Sequence, residues 1–393
     1  MRLLTKFLAL ILLTHLALVL FTNRALFFSK FDEVYWKDKY EHSQWKLPLS
    51  VRTLGDDGLY LYEGYRLIKG GDPTLLNAEV PPLGKYLIGL SIIIFGNGHL
   101  YGFFTTLLAL VSFFLLSKAL LRDTRLALVA TTLVALDPLI TSQFTLTMLD
   151  SLQLLFLLLT LYLLTRIQKK KLLFLMTGLA GVAFGLFAET KFPVLGLPIV
   201  LILGLTLWLQ TKKLAPLFIF LGSATVSYLL PYGYYFFLGH TFSDWLGVQK
   251  WIATFYANAN VNSNIGSALT LLLSGRYQNL FTKQWVAAPE WSPTWTIITL
   301  LAAISSVAIL WRIIRRREGI DWLPVAGITI FALLFFSAIP FWTRYVVLLL
   351  PLLYLTAIKV IASAKKPLRM LIFGVLLATN VFATTMILFQ TPE

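Results

Sequence analysis

The sequence predicts an all-α polytopic membrane protein, and three observations carry that prediction. Hydrophobic residues make up 58% of the chain and charged ones only 13%, roughly half the ~25% charge of a soluble domain. The mean hydropathy is +0.78. The apolar residues gather into runs long enough to cross a bilayer, with short basic clusters between them.

A crossing helix needs about 20 apolar residues, and 17 suffice. Eleven runs qualify: 3–21, 100–121, 126–142, 149–165, 172–188, 192–209, 214–238, 295–314, 322–341, 345–362 and 370–389. The first carries Arg2 and Lys6 at its start and no small-residue cleavage site after it, so it reads as a signal anchor. Residues 82–95 are also apolar but too short to cross, which suits an interfacial or re-entrant segment. Cations cluster at Arg2/Lys6, Lys118/Arg122/Arg125, Arg166/Lys169/Lys170/Lys171, Lys212/Lys213, Arg312/Arg315/Arg316/Arg317 and Lys365/Lys366/Arg369. Placing all of them on the cytoplasmic side requires eleven crossings of the cytoplasmic membrane, with the N-terminus inside and the C-terminus outside. The net charge of +15 then reflects membrane orientation, and no nucleic-acid partner is expected.

With that topology, residues 1–393 form one integral membrane domain with two long outer loops, 22–98 and 239–293. The carboxylates and lone cations collect at the outer face: the first loop, the turns at Asp137 and Asp150, the hairpin with Glu189 and Lys191, and the helix end at Arg344. The second loop is rich in Trp, Tyr and Asn, as an interfacial anchor or a lid over a lipid groove would be. The absence of cysteine excludes disulfides, thiolate nucleophiles and Cys-ligated metals.

Residues 55–90 concentrate the chemistry, in two short helices broken by Gly-Gly, Asp-Pro and Pro-Pro. Asp56 and Asp57 stand near a helix start, where capping competes with a catalytic role. Asp32 and Glu33 form a rival acidic pair, and spacing alone does not rank the two as general base. Glu79 is held by a Pro-Pro turn at Pro81 and Pro82, which suits substrate positioning or a loop-ordering salt bridge. Asp150 opens a crossing. Lys85, Lys191 and Arg344 are the cations available to a lipid phosphate, with Tyr60 and Tyr345 as neighbouring substrate contacts. The histidines lack metal-ligand spacing, and a divalent ion held by Asp56, Asp57, Glu79 or Asp150 is the one metal arrangement these residues permit.

Together the acidic pair, the PPLGK segment at 81–85, the LD-plus-apolar stretch at 149–157 and the helix GLAGVAFGLFAETKF ending near Lys191 resemble the GT-C superfamily. Among its membrane glycosyltransferases they are most similar to the protein O-mannosyltransferases and the lipid A aminoarabinose transferases. The resemblance implies a GT-C fold and transfer of one sugar, mannose in the first instance, from a polyprenyl-phosphate donor to a hydroxyl acceptor on a protein, glycan or lipid. It also implies an outer-loop aspartate as base, assigned to Asp56 with Asp32 as fallback, and family acids at Glu79 and Asp150. No cofactor is required by that chemistry. The chain departs from the mannosyltransferases at Val80, where they carry His, and at Thr145, where they carry Arg, and 239–293 has no room for a MIR-type domain. A transporter or flippase for a lipid-linked sugar is the competing class. Such proteins use internal repeats and midplane ionisable residues, whereas these crossings are nearly free of charge.

Overall fold

The computed structural model describes residues 2–167, 172–191, 193–258, 266–279, 282–339 and 342–389. The basic cluster at Lys169, Lys170 and Lys171 lies outside the described residues. The helices in chain order are α1 (Arg2–Thr22), α2 (Arg24–Phe28), α3 (Glu33–Glu41), α4 (Asp56–Ile68), α5 (Leu83–Phe95), α6 (His99–Leu121), α7 (Thr124–Ala135), α8 (Pro138–Ser142), α9 (Asp150–Thr165) and α10 (Leu173–Thr190). They continue as α11 (Pro193–Thr211), α12 (Ala215–Leu229), α13 (Gly233–Phe237), α14 (Phe242–Asn258), α15 (Ser267–Ser274), α16 (Thr294–Arg316), α17 (Leu323–Ala338), α18 (Leu350–Ser363) and α19 (Lys366–Leu388).

Each of the eleven apolar runs is helical where described, and this is an integral membrane protein. Eight helices are long and apolar enough to cross a membrane among the described residues, while α7, α9 and α18 are shorter. Local chemistry accounts for two of the short ones. The run 126–142 breaks where the Asp137 carboxylate accepts the Leu139 N–H at 3.1 Å and Pro138 opens α8, because proline cannot continue the preceding helix. The run 345–362 begins as a 3-10 stretch, Thr343–Leu348, and becomes α-helical only at α18.

The first long loop, 22–98, folds as expected into short helices. In α5, 13 residues reach about 20 Å, too short to cross. It packs on α4 through glycines: a Cβ at Gly89 would lie 2.0 Å from the Gly64 carbonyl oxygen, so the two backbones touch. The same device joins α10 to α12, where a Cβ at Gly181 or Gly185 would strike the α12 backbone. Small residues spaced by four allow such contact between helices in a membrane. Antiparallel packing of α9 and α10 then brings the start of α9 beside the end of α10. The second long loop, 239–293, contains α14, α15 and a two-stranded antiparallel hairpin, β1 (Arg276–Gln278) with β2 (Trp285–Ala287). Three-residue strands are too short to show an alternating pattern in sequence.

The largest buried cluster draws on helices from both halves of the chain. A polar node ties its late helices to its early ones. The Asp137 carboxylate accepts from Trp295 Nε1 at 2.7 Å and from the Tyr354 hydroxyl at 3.0 Å, and Asn380 donates to Tyr354 at 2.8 Å and to the Leu133 carbonyl at 2.9 Å. Asp137, in the turn between α7 and α8, is wholly buried, where an acid persists only with hydrogen-bond donors around it. Because nothing can fit between α4 and α5, Gly89→Leu is expected to destabilise the protein by about 1–3 kcal/mol through overpacking. Thermal unfolding in detergent checks this, and an unchanged midpoint would mean that the two helices do not meet there.

Candidate active site

Two ion pairs stand side by side where four segments converge. Gly55 precedes α4 in extended conformation, so Asp56 and Asp57 occupy its first turn. Arg344, in the 3-10 stretch before α18, donates from Nη2 to Asp56 Oδ2 at 2.6 Å. Asp150, in the first turn of α9, accepts Lys191 Nζ at 2.8 and 3.0 Å. Lys191 is held by its extended backbone at the end of α10, by Gln153 Nε2 donating to its carbonyl, and by the Tyr345 ring 5.4 Å from its ammonium.

The two pairs differ in exposure. Asp150 and Lys191 are almost fully covered, whereas the side chains of Asp56 and Arg344 remain 27% and 22% exposed. The second pair therefore faces a path for solvent or ligand. Arg344 Nε is buried with no hydrogen-bond partner among the described residues, a donor left for an acceptor from outside. Burial pulls the Lys191 ammonium down to about 8, with Asp150 opposing that pull and the Arg344 charge adding to it.

Glu79 belongs to the same cluster. Burial raises its carboxyl above the usual range; the Asn77 amide, 2.8 Å away, opposes the rise and the Asp56 charge adds to it. Tyr60 and Tyr345 both lie within the field of Arg344, so the two expected substrate tyrosines also meet here. Asp56, Glu79, Asp150, Lys191, Arg344, Tyr60 and Tyr345 thus share one location despite lying up to 289 positions apart in sequence (345 − 56).

The remaining expected site residues are held by contacts of their own. Lys85 is fully buried, and its ammonium donates to Glu63 Oε1 at 2.7 Å, to the Asn77 carbonyl at 2.7 Å and to the Val80 carbonyl at 2.9 Å. All three of its donors are occupied, so it orders the turn that carries Glu79 and does not reach a lipid phosphate. Burial pushes the Glu63 carboxyl up to about 7 against the pull of Lys85. Asp57 contributes its backbone, its carbonyl accepting from Thr147 Oγ1 at 2.9 Å. The rival pair is elsewhere: Asp32 caps α3 by accepting the Tyr35 N–H at 3.0 Å, and Glu33 accepts the Tyr65 hydroxyl at 2.7 Å.

Other supports carried little signal in the sequence. Glu189 Oε2 accepts the Leu83 N–H at 3.0 Å and so caps α5 from α10, although its neighbour Lys191 marked the same hairpin. His240 Nε2 meets Asp72 Oδ2 at 2.7 Å and stacks on Tyr235, fastening the second long loop to the first. That contact brings together residues 168 apart, which no local pattern reveals. No group of three or more His, Asp or Glu side chains forms a metal cluster among the described residues.

Comparison with known proteins bears on the fold. A family profile described as dolichyl-phosphate-mannose-protein mannosyltransferase matches residues 79–235, a stretch that holds Glu79, Lys85, Asp150 and Lys191. The chain is similar to the crystal structure of ArnT from Cupriavidus metallidurans bound to undecaprenyl phosphate, at 13% identity and a TM-score of 0.61, covering 92% of this chain and 61% of that one. The apo form of the same ArnT matches at 15% identity and a TM-score of 0.55, covering 84% and 58%. The oligosaccharyltransferase AglB from Archaeoglobus fulgidus, in complex with an inhibitory peptide and a dolichol-phosphate, matches at 12% identity and a TM-score of 0.56, covering 98% and 55%. No curated protein sequence matches the chain.

The chain has the GT-C fold. It spans about three-fifths of the length of these GT-C structures. Within this fold the Asp56–Arg344 contact joins the first long loop to the 3-10 stretch before α18, and both of its ends lie outside the profile match. Removing one partner from a buried ion pair leaves an uncompensated charge, at a cost of about 3–5 kcal/mol. Glu63→Gln is therefore expected to destabilise the protein strongly, and Glu63→Leu with Lys85→Met to recover most of that loss. Unfolding midpoints of the single and double variants check this; a double variant as unstable as the single would contradict the isolated-charge explanation.

Proposed function

We propose that this protein is an inverting glycosyltransferase that moves one sugar from a polyprenyl-phosphate lipid to a hydroxyl acceptor at the extracytoplasmic face of the membrane. The observation that carries the reading is the half-exposed Asp56–Arg344 pair beside the buried Asp150–Lys191 pair. A base and two cations lie together there at the ends of membrane helices. The GT-C fold supports it, as do two structural neighbours that hold undecaprenyl phosphate and a dolichol-phosphate. The matched family profile supports mannose as the sugar.

The chemistry follows from the charges. The donor phosphate enters with negative charge and competes with Asp56 for Arg344, whose unpartnered Nε offers a second donor. Asp56, relieved of its cation, accepts the acceptor's hydroxyl proton as that oxygen bonds to the anomeric carbon. The bond from that carbon to the phosphate oxygen breaks on the opposite face, its electron pair stays with the phosphate, and the configuration inverts. Arg344 and Lys191 stabilise the charge that grows on the leaving group. Asp150 holds Lys191 in position, and Glu79, its carboxyl raised by burial, orients the sugar or the acceptor. Asp56 and Asp150 are paired with cations and Glu79 with an amide, and no step is assigned to a divalent ion.

Asp56→Asn is expected to lower transfer by about 10²–10⁴-fold while folding and donor binding persist, measured with a purified protein and polyprenyl-phosphate mannose. Undiminished turnover would remove Asp56 from the reaction. Arg344→Ala is expected to weaken binding of the polyprenyl monophosphate product, and an unaltered affinity would remove Arg344 from the phosphate site.

A further inference from the structure

A cavity of about 500 Å³ opens between α1, α7 and α19, at the end of the bundle away from Asp56. Its distance follows from α6, which runs from His99, bonded to the Thr145 carbonyl near the site, to Leu121 beside the start of α7. The 23 residues of α6 span about 35 Å.

The walls are apolar, with Phe7 from α1, Val129 from α7 and Phe373 from α19 among them, and the rim carries Arg125, Lys366 and Arg369. Arg369 is held by donating from Nη1 to the Ala362 carbonyl at 3.1 Å. Asp123, the acid on this rim, caps α7, its Oδ1 accepting the Arg125 and Leu126 N–H groups at 2.7 and 3.3 Å. The start of α19 has no side-chain cap, so its positive end adds to the same field. The positive-inside tendency explains why cations lie at this end of the bundle. It does not explain why three of them ring one apolar cavity.

We propose that this cavity binds an anionic glycerophospholipid from the leaflet at that end of the bundle. An acyl chain lies between α1 and α19, and the phosphate meets Arg125, Lys366 and Arg369. Basic pockets between membrane helices suit anionic headgroups in this way, and the helices around the cavity leave apolar surface for a chain. The bound lipid would fasten α1, which is lightly packed, to the bundle.

The test is native mass spectrometry of the full chain in detergent with equimolar phosphatidylglycerol and phosphatidylcholine. One phosphatidylglycerol should be retained at least about tenfold over phosphatidylcholine, since each basic side chain near an anionic headgroup contributes roughly fivefold. The variant Arg125→Gln/Lys366→Gln/Arg369→Gln should lose that preference. Val129→Trp, which fills the cavity and leaves the charges in place, should lose the bound lipid. Equal retention of the two lipids, or undiminished phosphatidylglycerol in either variant, would overturn the proposal.

Discussion

A charge inside an apolar bundle must find its opposite, and that constraint organises this molecule. Asp150 and Lys191 are covered on all sides and would each cost several kcal/mol alone. Their mutual contact at 2.8 Å therefore fixes how the start of α9 meets the end of α10. Asp56 and Arg344 repeat the arrangement a short way off, and they bind the first long loop to the late helices. Lys85 and Glu63 do so a third time, within the loop itself. The site consists of the places where those pairings accumulate, and only the Asp56–Arg344 pair is open enough to exchange partners with a ligand.

Such an exchange explains why a candidate base sits in a salt bridge at rest. At rest the Asp56 oxygen is occupied by the Arg344 guanidinium. A phosphate that draws the guanidinium away frees that oxygen to receive the acceptor's hydroxyl at the moment the donor is present. Asp150–Lys191 does not share that freedom, being buried and braced by Gln153 and Tyr345. It acts as the fixed half of the site.

Much of this was legible in the sequence because a membrane makes charge scarce. The apolar runs located the helices, and the few acids and lone cations left between them, Asp56, Glu79, Asp150, Lys191 and Arg344, are the groups that converge. Lys85 was misread because sequence spacing does not show that α4 and α5 touch through Gly64 and Gly89. That contact sinks the lysine beside Glu63. Asp32 resembled a catalytic acid in its local text but does a helix cap's work. Asp72 with His240 and Glu189 with the Leu83 N–H are contacts between segments far apart in sequence, and each residue alone looks like an ordinary surface polar group. The cavity between α1, α7 and α19 shows the same limit: its basic rim was visible as separate clusters, and only the packing of those helices makes them one ring.

A double-mutant cycle on the affinity for a polyprenyl monophosphate tests partner exchange most directly, using the wild type, Asp56→Asn, Arg344→Ala and both together. If phosphate and Asp56 compete for one guanidinium, Asp56→Asn tightens binding in the wild-type background and has no effect once Arg344 is gone. Equal effects of Asp56→Asn in both backgrounds, or a loss of affinity in the first, would contradict the account.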